Sequence, residues 1–187
     1  MSETESNHNL DDIFTSTAAE SLPDVGRVLD LKTAEMLLLW ASRSWVWAVV
    51  KHGNAGKQYI HGLRQGACGE AAEPLNYLLH IIGSVCTRNI QIHKPCCTYL
   101  ADDEKRLLYA LSAQQTGRTL EVFDILSQIL PPSAIRIALS HADAVALCFA
   151  QAGLFLPDRT WKLKELSLAN QLRAPQASKT RVRYFLH

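Results

Sequence analysis

Between Leu31 and Lys51 the chain carries apolar residues on more than one helical face, and this stretch constrains everything built around it. Leu37, Trp40, Ser44, Trp47 and Ala48 recur at spacings of three and four and mark one face. Leu38, Ala41, Trp45 and Val49 mark its neighbour. A helix apolar around so much of its circumference is stable only between other helices, so it predicts a helical bundle with this segment at its centre. Asp30 is the expected N-cap, and Gly53 and Gly56 the expected stop, because glycine adopts the left-handed C-terminal turn at no steric cost.

The rest of the chain repeats the pattern in shorter pieces. Lys57 to Gln65 reads as an amphipathic helix closed by Gly66. Glu70 to Val85 reads as another, with Pro74 in its first turn and Leu75, Leu78, Leu79, Ile82 and Cys86 as its apolar stripe. Residues 87–101 lose the helical period, and Ile90 to His93 alternates as an extended segment does. Helix resumes at Asp102, where Asp103 and Glu104 suit the helix dipole, and Leu107, Leu108 and Leu111 follow. Thr119 to Leu130 and Ser133 to Ala152 are the next two, divided by Pro131-Pro132, and Trp161 to Leu172 is a basic candidate for a last one. The expected fold is therefore all-α: a single globular bundle of about six or seven helices with flexible N- and C-terminal tails. The boundaries are a disordered acidic tail over 1–22, a helical domain over 23–158 and a basic C-terminal helix and tail over 159–187.

At 187 residues with 48% hydrophobic content, one core holds such a domain without staples. The net charge of +1 hides an asymmetry. Residues 1–30 hold seven carboxylates against Arg27 alone, whereas residues 159–187 hold seven basic side chains against Glu165 alone. The two ends can attract each other or an outside partner. The start, Met-Ser-Glu-Thr-Glu, has neither the basic nor the apolar stretch of a targeting segment. The most apolar run, Met36 to Val50, is 15 residues and interrupted by Ser42, Arg43 and Ser44, against the roughly 20 that a membrane span needs. Five cysteines without repeating spacing fit reduced thiols. A cytoplasmic protein with no membrane association is the expectation.

Three constellations carry possible chemistry. Cys86, His93, Cys96 and Cys97 place four zinc-type donors within 12 residues, though without a C-x-x-C knuckle. Trp40 and Trp47 share a helical face with Arg43 nearby, a set that can stack a flat ligand and hold its acidic group. Lys162, Lys164, Lys179, Arg181 and Arg183, with Tyr184 and Phe185, suit a partner's acidic surface or nucleic-acid phosphates. Gly53-Asn-Ala-Gly56-Lys57 precedes a helix and offers donors to an anion, but lacks the Ser/Thr of a nucleotide loop. No nucleophile elbow, phosphate loop, dinucleotide fingerprint or H-E-x-x-H motif is present. The leading expectation is a non-catalytic helical regulator or adaptor that binds another protein or self-associates, with no cofactor. The alternatives are a metal- or small-ligand-responsive sensor, with zinc on the 86–97 loop or a ligand on the tryptophan helix, and a nucleic-acid-associated factor acting through the basic C-terminus.

Overall fold

The multi-faced apolar stretch becomes α1 (Thr33–His52), the helix against which the others are placed. It begins after Lys32, whose backbone N–H donates to Glu35 Oε2 at 2.8 Å. Asp30 is not the N-cap; it ends a one-turn 3-10 helix (Val28–Asp30), with the Leu31 N–H bonded to the Val28 carbonyl at 3.1 Å. The Asp30 carbonyl is engaged instead by Arg159, at 3.2 Å. Gly53 closes α1 in the left-handed region at φ 74°, its N–H on the Val49 carbonyl.

The computed structural model describes residues 22–161 and 184–186, and within them six α-helices form a bundle. After α1 come α2 (Gln58–Gln65), α3 (Ala72–Val85), α4 (Asp102–Gln115), α5 (Thr119–Ser127) and α6 (Pro132–Gln151). Four short strands pair in parallel, β1 (Leu22–Pro23) with β3 (Arg159–Thr160) and β2 (Ile90–Ile92) with β4 (Tyr184–Leu186). The extreme C-terminal residues read in sequence as tail, yet 184–186 add a strand to β2, with Phe185 opposite Gln91.

One contiguous apolar cluster runs from Leu31 to Leu156. Trp45 and Phe149 are its largest fully buried apolar members, and the expected stripe of α3 lies inside it. α6 packs on α3, α4 and α5. It is the one described helix whose length and composition would let it cross a membrane, and here its Ala134, Ile135, Ala138, Ala142, Val145 and Phe149 enter the core. α5 buries only part of its apolar content. Val122, Ile125 and Leu126 face inward, whereas Leu120 is 82% exposed and Phe123 45%. Nine residues offer the core a single narrow stripe, and these two side chains fall outside it.

Candidate functional site

Trp40, Ser44 and Trp47 stand at positions i, i+4 and i+7 of α1 and so share one stripe of its surface. α2 lies against that stripe because two of its flanking positions lack side chains. A Cβ at Gly62 would sit 1.9 Å from Trp40 Cζ3, and one at Gly66 would sit 2.5 Å from a Leu37 methyl. The glycines let the α2 backbone rest directly on the α1 side chains. Between the two helices runs an open groove of about 730 Å³, with α1 supplying Trp40, Ser44 and Trp47, and Pro95 closing one side. Lys57, Gln58, His61 and Gln65 form the opposite wall. That volume is within the roughly 300–1,000 Å³ of small-molecule sites. A second void, in the core between α3, α4 and α5, holds only about 30 Å³, space for roughly one water.

The groove is aromatic and basic. Trp40 is 38% exposed, and Lys51 Nζ lies 5.1 Å over the Trp47 ring, a cation–π distance. Lys57 and His61 add further positive or protonatable groups, and no carboxylate is among the lining residues. Trp45, the third tryptophan of α1, is fully buried and donates its indole N–H to Asn76 Oδ1 at 2.8 Å.

Arg43 does not reach the groove, contrary to the grouping that the sequence suggests. It is 1% exposed and forms a bidentate pair with Glu104, Nε to Oε1 at 2.7 Å and Nη2 to Oε2 at 2.8 Å. Glu35 is no partner for it: eight residues apart on one helix means about 12 Å along the axis. Glu35 instead takes Arg159, at 2.6 and 2.8 Å. Arg159 also donates to the Pro23 and Asp30 carbonyls, and Lys105 Nζ meets Asp24 at 2.9 Å, so the first basic residue of the C-terminal segment holds the N-terminal arm.

The Arg43–Glu104 pair fixes the loop that carries Pro95. Arg43 donates to the Cys97 carbonyl at 2.6 Å and the Tyr99 carbonyl at 2.7 Å. Glu104 accepts from the backbone N–H of His93 at 2.9 Å and of Ala101 at 2.8 Å. Next to it, Asp103 accepts from Arg88, from Arg106 and from the Gln91 N–H. Burial pushes the Asp103 carboxyl up, but Arg88's hydrogen bond and charge, the Gln91 N–H and Arg106 outweigh it and hold it below the usual carboxylate range.

The loop's zinc-type donors do not converge. Cys86 is buried at the end of α3, Cys96 is exposed and Cys97 half-buried, while His93 Nδ1 lies 2.9 Å from the Tyr99 carbonyl. Among the described residues no three His, Cys, Asp or Glu side chains are grouped to hold a metal ion. Lys162, Lys164, Lys179, Arg181 and Arg183 lie outside the described residues.

Sequence reading found the two tryptophans of the groove and missed its cation. The signal for Lys57 was the Gly53–Gly56 turn ahead of α2, read as a weak anion site. The signal for Glu104 was the need of Arg43, set in an apolar helix, for a buried carboxylate. The chain matches no protein-family model, no curated protein and no solved structure.

Proposed function

We propose that this chain works by binding another protein, and that the Trp40/Trp47 groove receives an acidic, extended segment of that partner carrying an aromatic side chain. The observation that supports this reading is a groove walled by two accessible tryptophans and lined by Lys57 and His61 without a carboxylate. Tryptophan gives large contact area for little conformational entropy, which is why it anchors so many interfaces. Lys57 and Lys51 would meet the partner's carboxylates at the rim, where charge sets specificity and encounter rate more than affinity. The buried Arg43–Glu104 pair serves this site indirectly, by setting the position of Pro95.

The test is fluorescence polarisation with a labelled acidic peptide containing one phenylalanine. Micromolar binding that weakens with salt, and that drops at least ten-fold in Trp40→Ala and Lys57→Glu with the helical circular dichroism preserved at the assay temperature, is the expected result. Absence of binding, or equal binding by Trp40→Ala, overturns the proposal. An aromatic carboxylate of small-molecule size binding as tightly as the peptide would do so as well, in favour of a small-ligand site.

A further inference from the structure

We infer that the groove's first occupant is the chain's own N-terminal segment, residues 1–21, acting as a tethered competitor of the partner; this rests on the reading of the groove given above. The segment carries Glu3, Glu5, Asp11, Asp12 and Glu20 and no lysine or arginine. Its apolar residues cluster around two of those carboxylates, in the run Leu10-Asp-Asp-Ile13-Phe14. One aromatic, two aliphatic side chains and a pair of adjacent carboxylates are the chemistry that a groove of Trp40, Trp47, Lys57 and His61 recognises.

The tether places the segment within reach. Leu22 is fixed on β3, opposite Arg159, and Arg159 is paired with Glu35 in the first turn of α1. From Glu35 to Trp40 is about 7.5 Å along the helix axis, and to Trp47 about 18 Å. The eight residues from Phe14 to Leu22 span up to about 27 Å when extended, more than the axial rise of about 18 Å between Glu35 and Trp47. A linker able to span both of its sites gives an effective concentration of about 1 mM. An intrinsic Kd of about 100 μM for the segment then makes the self-occupied form about ten times as populated as the open one, and weakens a partner's apparent affinity about ten-fold.

The experiment uses the full chain and the same labelled peptide. Wild type is compared with a variant carrying Asp11→Asn, Asp12→Asn and Phe14→Ser, positions that precede the first core residue, Leu31. The variant should bind the probe about ten-fold more tightly, its tryptophan fluorescence should be more readily quenched by iodide, and Trp40→Ala should erase the difference. Equal, measurable affinity in both proteins overturns self-docking and leaves the groove reading standing. Failure of the probe to bind either protein brings down the groove reading itself. A concentration-dependent dimer abolished by the same three substitutions transfers the segment to a second copy and overturns the intramolecular form.

Discussion

Replacing Glu104 by glutamine tests the claim that a buried charge pair sets the loop beside the groove. Glu104 is fully buried, and its two oxygens accept four hydrogen bonds: from Arg43 Nε and the His93 N–H on one, and from Arg43 Nη2 and the Ala101 N–H on the other. Glutamine presents one oxygen and one NH2, so one pair of donors must face another donor, and the guanidinium loses its counter-charge. Breaking a buried pair in this way costs about 3–5 kcal/mol. For a domain of this size each kcal/mol moves the melting temperature by roughly 2–4 °C, so the expected drop is roughly 6–20 °C. Urea unfolding followed by tryptophan fluorescence gives the free energy, with calorimetry as a second probe. Arg43→Met should cost a similar amount. The double variant Arg43→Met/Glu104→Met should cost less than the sum of the two single ones, because neither charge is then left stranded. The half-buried Arg118–Asp158 pair is the control, and Asp158→Asn should cost under about 1 kcal/mol. A loss below 1 kcal/mol in Glu104→Gln, or strict additivity in the double variant, would refute the reasoning.

Four further outcomes follow from other parts of the fold. Asp103 is depressed below its unfolded value of about 3.9, so its contribution is present above that pH and lost as pH falls through the folded value; urea titrations in mild and strong acid should show a shallower acid loss in Asp103→Asn. Gly62→Ala drives a methyl group into the Trp40 ring and should cost about 1–3 kcal/mol with a change in tryptophan emission, and an unchanged melting temperature would mean that α2 does not lie this close. Tyr109 is pushed up to about 12, by burial first and then by its hydrogen bond to Glu121. Its contribution should hold below about pH 10 and fall as pH rises towards 12, with phenolate absorbance appearing earlier in Glu121→Gln. In hydrogen exchange, deleting residues 184–187 should deprotect the Ile92 amide but spare Gln91 and His93, which carboxylates hold; equal deprotection of all three would count against Asp103 and Glu104 holding those two amides.

What sequence reading recovered was periodic and local. The stripe of α3, the Pro131-Pro132 break before α6 and the left-handed stop at Gly53 each depend on residues within a few positions of one another. What it missed was long-range. Asp103 and Glu104 read as first-turn carboxylates that suit the helix dipole, because a helix start favours negative charge, whatever else approaches it. Their partners Arg88 and Arg43 are 15 and 61 residues away and were not marked as partners by any local pattern. The same holds for Tyr184 to Leu186, whose pairing with β2 spans more than ninety positions of the chain. At the groove, helical spacing placed Trp40 with Trp47, but only the packing of α2 brings Lys57 and His61 opposite them.

The ion pair of Arg43 and Glu104 is better understood through the backbone it serves than through its own attraction. Apolar side chains of equal volume often match a buried pair in stability. They cannot hydrogen-bond, however, and the loop between β2 and α4 has four peptide groups to satisfy at this point: the His93 and Ala101 N–H groups and the Cys97 and Tyr99 carbonyls. Peptide groups at buried positions need partners, and this irregular segment gets few from helix or sheet. A guanidinium supplies only donors and a carboxylate only acceptors, so the two together serve the loop's carbonyls and its N–H groups while neutralising each other. Pro95 sits inside the span held at His93, Cys97, Tyr99 and Ala101, so the position of one groove wall is set by a charge pair that never touches the groove. That separates two effects in the variants: the double methionine substitution should recover stability relative to the sum of the single ones, yet still weaken peptide binding, because the loop has lost its partners.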